Sequence, residues 1–418
     1  MRNLEFLLPL LFSFYLTEVY SSSCLNTTYQ NLNIFGNDLS NALGSSSQCC
    51  SLCLAASGCV AWSWDNTTGG TCWLKSDTQP LGRQNGTTSG LLSPSVNQTY
   101  TLNKYFRASN WFNNSYWHWD LWALTNVTKD VSQATAQSLG MINTNNGKVY
   151  MGVDMVNKYP NGTRPSIQIQ SLFLYNSGLF ILSLDHMPAG GGSWPAWWFT
   201  GGNWPYDGEI DVLESIWAQD YNQMGIIVGD TCLQNYNDSN YMTGEWYDKS
   251  VGVTSPYYSC DKFASNATAR EGCTVLGAHG TFNDKFNAAG GGAYAMQWVR
   301  DKYIRIWNFV KPNVPADILN ESPNPNPDTW GLPAAHYTLG PNCSPDNFQN
   351  HTMMFDIALC GAGWAGNVFP GGEGACENMV QNHPENMTET YWLINYVKVF
   401  NRPGEPQGVY NSTCQFGC

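Results

Sequence analysis

The segment Glu209-Ile210-Asp211-Val212-Leu213-Glu214 puts three carboxylates into six residues of a chain that is only 12% charged. Two carboxyl groups at close quarters suit displacement at an acetal carbon, one ionised to attack and one protonated to release the leaving oxygen. The acids alternate with Ile, Val and Leu, which predicts a half-buried strand. On a regular strand Glu209 and Asp211 share a face, and Glu214, at i+5, points to the other. A β-bulge at Val212 or Leu213 is therefore expected, because one extra residue returns Glu214 to the face of Glu209. Four strand steps of about 3.3 Å separate the two Cα atoms by roughly 13 Å. Glutamates are long enough to lean together towards the carboxyl spacing of about 5–5.5 Å that a retaining displacement needs. Asp211, between them, can hydrogen-bond to the nucleophile and favour protonation of a neighbouring acid. The competing readings of such a cluster are a solvated strand face and a set of Ca²⁺ ligands.

The flanks favour the first reading. Trp194, Trp197, Trp198, Trp204, Tyr206 and Trp217 surround the acids, in a chain with 18 Trp. Flat aromatic faces can stack on the apolar faces of sugar rings, although Trp also fills cores. The candidate catalytic residues are Glu209, Asp211 and Glu214. The candidate substrate-binding residues are Trp194, Trp197, Trp204, Asn203, Trp217, Arg164 and Trp298.

A wider set of motifs carries a family resemblance. Asp185-His186-Met187-Pro188, Gly190 through Trp198, Asn203-Trp204-Pro205 and Gly208 through Glu214 resemble the core of family 16 glycoside hydrolases. The likeness is to the fungal-type endo-1,3(4)-β-glucanases, or laminarinases. It continues through Gly290 to Ala295, Pro315 to Ile318, Trp330 to Pro333, Phe355-Asp356, Gly363 to Gly366 and Ile394 to Val397, and so spans residues 98–403. The resemblance implies Glu209 as nucleophile, Asp211 as its assisting acid and Glu214 as general acid/base. It also implies a jelly-roll β-sandwich, concanavalin-like, with the cleft across a concave sheet. Two stretches depart from the family pattern. Asn222-Gln223-Met224-Gly225-Ile226-Ile227-Val228 stands where the family typically runs Asn-Gln-Met-Thr-Leu-His-Thr, and Gln297 stands where it commonly has Glu. If the first stretch faces the cleft, hydrogen bonds to sugar hydroxyls are missing there.

The elements that would carry these residues point to an all-β class. Short runs such as Ser166 to Tyr175, Gly178 to Leu184 and Tyr391 to Phe400 are rich in strand-forming residues, punctuated by Gly, Pro and Asn, and no long helical period follows the first residues. Residues 1–22 read as a signal peptide, with Arg2 before an apolar run and a small-residue exit at Ser21-Ser22-Ser23. Glu5 and Glu18 shorten that run below the about 18–20 residues that span a bilayer, and no other segment is expected to span. Fourteen cysteines and fourteen Asn-x-Ser/Thr sequons fit an oxidising, glycosylating route and an extracellular destination.

Six cysteines (24, 49, 50, 53, 59 and 72) crowd into residues 23–76 and leave 15 pairings open. Such a short module leans on disulfides. Its spacing resembles PAN/apple domains, which implies a carbohydrate or protein ligand for this accessory module. A zinc reading of the Cys-x₂-Cys pair conflicts with a secreted chain. Residues 77–97, rich in Ser, Gly, Thr and Asn, read as a glycosylated flexible linker, and residues 404–418 as a cysteine-containing tail. The later eight cysteines are expected to staple loops and the tail.

The net charge of −13 and the absence of any run of basic residues make nucleic acid and anionic membranes poor partners. A neutral β-glucan is the expected partner, bound by stacking and hydroxyl hydrogen bonds. His186 reads as structural, and no metal-ligand spacing or Ser/His/Asp order stands out. No cofactor is expected; a structural Ca²⁺ stays open without assigned ligands, and a monomer is expected. The function these observations favour is a secreted retaining endo-β-glucanase acting on internal β-1,3 bonds, with β-1,4 bonds left open. The alternatives are a non-catalytic glucan-binding protein and a transglycosylase on the same scaffold.

Overall fold

The computed structural model describes residues 23–93, 99–247, 257–264, 272–402, 404–405, 408–411 and 413. The expected signal peptide, the sequons at Asn97 and Asn266, and Cys414 and Cys418 lie outside them.

Two eight-stranded antiparallel sheets pack face to face. One runs in the order Glu245–Trp246, Cys273–Leu276, Gln223–Ile227, Glu209–Glu214, Ser193–Thr200, Thr352–Leu359, Gln168–Ser171, Trp117–His118. The other runs Ala335–Thr338, Tyr303–Val310, Gly292–Val299, Gly178–His186, Tyr391–Asn401, Val149–Gly152, Ile142–Asn143, with Thr101–Arg107 also paired to Tyr391–Asn401. The chain is thus an all-β sandwich, as expected. Alternation builds its core. Trp197, Phe199, Ile210, Met224, Ile226, Met353 and Phe355 of the first sheet meet Phe180, Leu182, Tyr294, Met296, Trp298, Ile304 and Val397 of the second. The strands carrying the acids lie in the middle of the first sheet, so their outward face is free to line a cleft.

A separate five-stranded sheet precedes the sandwich, ordered Cys24–Ile34, Leu81–Leu92, Ala61–Asp65, Thr71–Lys75, Asp38–Leu43, with the helix Ser46–Ala55 on it. Its six cysteines pair as Cys24–Cys50, Cys49–Cys72 and Cys53–Cys59. In the sandwich the pairs are Cys232–Cys343, Cys260–Cys273 and Cys360–Cys376.

Most of the linker expected over 77–97 is folded, and its residues 94–97 lie outside the described residues. Leu81–Leu92 is an internal strand of the module, between Cys24–Ile34 and Ala61–Asp65. Its Ser, Gly and Thr content misled because Gly90 is a packing residue: a Cβ there would stand 2.5 Å from the Trp62 ring. The exposed residues lie around the Asn85 sequon, in the outer part of the strand.

This strand also helps to dock the module on the sandwich. Tyr29, Ile34, Leu81 and Leu91 cluster with Leu332, and Phe35 meets Tyr241 edge-on at 6.0 Å. Asp328 accepts hydrogen bonds from Thr78 Oγ1 (2.8 Å) and Gln79 Nε2 (3.2 Å) of the module, and pairs with Arg305 at 2.7 Å. Arg305 in turn donates to Gln297 Oε1 at 2.7 Å. The departure at Gln297 therefore belongs to the outer face of the second sheet, away from the acids, where it helps seat the guanidinium behind the module.

Candidate active site

The expected bulge is present. Along Ser193–Thr200 the partners run Thr200↔Glu209, Phe199↔Ile210, Trp198↔Asp211, then Trp197↔Leu213 and Ala196↔Glu214, which leaves Val212 as the extra residue. Val212 and Leu213 both enter the core, while Glu209, Asp211 and Glu214 share the opposite face. A bulge strands backbone groups, and here Asn222 collects them. Its Oδ1 accepts from the Glu214 N–H at 2.9 Å and its Nδ2 donates to the Val212 carbonyl at 2.8 Å. Asn222 is fully buried, and its own N–H donates to Thr281 Oγ1 at 3.0 Å.

Each glutamate meets an indole N–H. Trp204 Nε1 donates to Glu209 Oε2, and Trp194 Nε1 donates to Glu214 Oε1 at 2.8 Å. Burial pushes the Glu209 carboxyl up to about 7, against the Trp204 and Asp211 hydrogen bonds and the Lys262 charge, which favour its ionised form. Burial likewise raises Glu214 to about 7, opposed by Trp194 and reinforced by the charge of Glu209. Asp211 lies well above the usual carboxylate range, first through burial and then through Glu209 and Glu214. A protonated Asp211 donating to an ionised Glu209 is the arrangement these directions favour.

Room for Asp211 comes from Gly225, its partner on the next strand: a Cβ at Gly225 would stand 2.9 Å from Asp211 Oδ2. In the divergent stretch, then, Gly225 and Ile227 (opposite Glu209) border the acids, whereas Ile226 and Val228 are core residues. On the other side, Trp198 donates to Asp356 Oδ2 at 2.7 Å. Leu121 covers Ala196, Trp198 and Met354 on this face. Among the described residues no group of three or more His, Cys, Asp or Glu side chains is placed to hold a metal ion.

Of the candidate substrate-binding residues, four lie at the rim. Trp194 stands edge-on to Trp364 at 5.2 Å, and Trp217 stands edge-on to Phe369 at 5.4 Å, with its indole N–H on the Ala365 carbonyl. Trp204 and Asn203 occupy the exposed turn before Glu209. Three others are corrected. Trp197 has no exposure because it shares strand parity with Phe199, the core face. Trp298 is buried from the second sheet, across the core, beside the His351 ring at 5.1 Å. Arg164 is also fully buried; it donates to the carbonyls of Val380 (2.7 Å) and Asn157 (3.1 Å) and so ties loops together. His186 is structural as read, stacked on Tyr391 at 3.9 Å with Nδ1 2.9 Å from its carbonyl.

Asn222 as a clamp on the bulge was not anticipated from the sequence, nor was Lys262, whose charge acts on Glu209. Asn222 was visible as the first residue of the divergent stretch. Nothing local marks Lys262, which a loop from another part of the chain brings over the Trp204 ring.

Residues 127–400 match the model of an XgeA-like catalytic GH16 domain, and residues 32–75 match a PAN domain. A probable endo-1,3(4)-β-glucanase of Aspergillus fumigatus is 33% identical over 333 residues, covering 75% of this chain and 48% of that protein. The chain thus spans about half the length of that curated relative. Among solved structures, the GH16 Laminarinase 16A from Phanerochaete chrysosporium, described with β-glucans (6-O-glucosyl-laminaritriose) in both donor and acceptor sites, superposes with a TM-score of 0.64 at 30% identity. It covers 72% of this chain and 100% of its own. An elongating GH family 16 β-1,3-glucosyltransferase gives a TM-score of 0.63 at 30% identity with the same coverage.

Proposed function

This chain belongs to glycoside hydrolase family 16, with an XgeA-like catalytic domain behind a PAN domain, and on that footing we propose that it is a retaining endo-β-glucanase. The substrate proposed is a β-glucan cleaved at internal β-1,3 bonds. The observation that carries the reading is the bulge at Val212, which sets Glu209 and Glu214 on one face with Asp211 between them.

Glu209, ionised with the help of the Trp204 N–H, Asp211 and Lys262, attacks the anomeric carbon. Glu214, kept protonated by burial, gives its proton to the leaving glycosidic oxygen. A glycosyl ester on Glu209 results, and the aglycone departs. Glu214, now ionised, takes a proton from water as that water attacks the same carbon, and Glu209 leaves as carboxylate. Two inversions give net retention. Asp211 passes its hydrogen bond to Glu209 whenever charge returns to that carboxyl.

A second reading is transfer to a sugar acceptor in place of water. It is favoured by the aromatic wall of Trp194, Trp364, Trp217 and Phe369 at the Glu214 end and by the likeness to the elongating glucosyltransferase. The six disulfides among the described residues support an extracellular location, and the PAN domain is proposed to engage a carbohydrate or protein ligand. No helix among the described residues is long and apolar enough to cross a membrane.

The test is to incubate the protein with laminarin, lichenan and carboxymethylcellulose and follow reducing ends and product lengths. New reducing ends with short products from laminarin, abolished by Glu209→Gln, support hydrolysis. Lengthened products without new ends support transfer. Binding with neither change defeats both.

A further inference from the structure

Away from the rim residues already described, the exposed aromatic side chains among the described residues include Trp122, Tyr206, Phe263 and Tyr410, and two of them, Tyr206 and Phe263, lie together outside the Glu209 end. Tyr206 is 53% exposed and Phe263 is 61% exposed, and their ring centroids lie 5.8 Å apart with the planes tilted by 35°. Two solvent-facing rings side by side are costly to leave uncovered and commonly mark a binding surface.

Both are held in place before any ligand arrives. Gly229 lies beneath Tyr206: a Cβ at that position would stand 2.7 Å from Tyr206 Cδ1, so the ring can lie flat only over glycine. Phe263 projects from a short loop tied to the end of the Gln223–Ile227 strand. The Val228 N–H donates to the Cys260 carbonyl at 3.0 Å, and the Lys262 N–H donates to the Val228 carbonyl at 2.9 Å. The Cys260–Cys273 disulfide ties Cys260 to the sheet, where Cys273 pairs with Ile226. A seated Tyr206 ring and a tethered backbone beside Phe263 lessen the entropy lost on binding.

The platform is continuous with the acids. Lys262 Nζ sits 5.6 Å from the centroid of Trp204, and Trp204 donates its N–H to Glu209. Moving outward, Glu209 meets Trp204, Trp204 meets Lys262, and Lys262 is the chain neighbour of Phe263, which pairs with Tyr206.

We propose that Tyr206 and Phe263 form an outer sugar-binding platform that extends the cleft beyond Glu209 and selects β-glucan chains long enough to reach it. The proposal rests on the glucanase reading for its ligand. It identifies specificity-determining residues, since neither ring touches the reacting atoms.

The experiment compares wild type, Phe263→Ala, Tyr206→Ala and Phe263→Trp on laminari-oligosaccharides of increasing length and on laminarin, reading kcat and KM separately. Removing one ring should lower kcat/KM about tenfold on the longest substrates, equivalent to about 1.4 kcal/mol of apolar contact. The loss should fall mainly on KM, as for uniform binding, shrink as the chain shortens, and be restored by Phe263→Trp. An equal loss at every length, or none at any length, overturns the proposal. If the wild type cleaves none of these substrates, the glucanase reading fails by itself. Affinity electrophoresis in laminarin gels then decides: weaker retention of both alanine variants supports the platform, and unchanged retention overturns it.

Discussion

Asn222→Ala should separate the geometry of the catalytic strand from its composition. The substitution leaves Glu209, Asp211 and Glu214 in the chain but removes both hydrogen bonds that close the bulge, to the Glu214 N–H and the Val212 carbonyl. Asn222 has no exposure, so neither group gains ready access to water. Each buried backbone group left unpaired costs about 1–3 kcal/mol, or about 2–6 kcal/mol for the two. At about 2–4 °C per kcal/mol for a domain approaching this size, the melting temperature should fall by at least about 4 °C. The effect on rate should be larger. A misplacement of about 1 Å costs about 10²-fold, and a relaxed bulge turns Glu214 by more than that. Thermal unfolding and kcat and KM on laminarin, with Asn222→Asp as the variant keeping the acceptor for Glu214, measure both. The expected order of kcat is wild type, Asn222→Asp, Asn222→Ala, with KM little changed. A folded Asn222→Ala protein with wild-type kcat would refute the claim that Asn222 sets the bulge.

Five further outcomes are expected. Rates should follow a bell-shaped pH profile, rising as Glu209 ionises and falling as Glu214 loses its proton, with both carboxyls raised to about 7. Trp204→Phe removes a donor that favours ionised Glu209 and should move the acidic limb of kcat/KM up by about one pH unit, while Trp194→Phe does the same to the basic limb through Glu214. Because both glutamates bind their proton more tightly folded than unfolded, stability should fall as pH rises from about 4.5 to about 7; Glu214→Gln should flatten that fall in a series of thermal melts. Gly225→Val crowds Asp211, 2.9 Å from the new Cβ, and should lower kcat without unfolding the protein. Asp328→Ala strands the buried Arg305 charge and should cost about 3–5 kcal/mol in denaturant unfolding while loosening the module.

The bulge was legible in the sequence because strand parity has a period of two: three acids at 209, 211 and 214 can share a face only if one residue is extra. The sheet class was legible for the same reason. Parity within Ser193–Thr200 also decides the fate of its tryptophans, since Trp194 and Trp198 fall with Ala196 on the cleft face and Trp197 falls with Phe199 in the core. Nearness to the acids in sequence was the weaker guide. Arg164 and Trp298 were beyond reach because burial depends on which sheet faces which, a long-range fact. Leu81–Leu92 looked like a linker because glycine and serine signal both flexibility and close packing, and only the Trp62 ring against Gly90 tells them apart. Asn222 acts on backbone groups that exist only once the bulge has formed, and Lys262 reaches Trp204 from a distant part of the chain, beside the Cys260–Cys273 disulfide.

The claim that Glu209 and Glu214 act as nucleophile and acid/base from one bulged strand predicts a stereochemical outcome. Proton NMR of a laminari-oligosaccharide during its first minutes with the protein reads the anomer released before mutarotation. The β-anomer appearing first is the predicted result. The α-anomer appearing first would mean a single inverting displacement and would contradict the roles assigned to both glutamates.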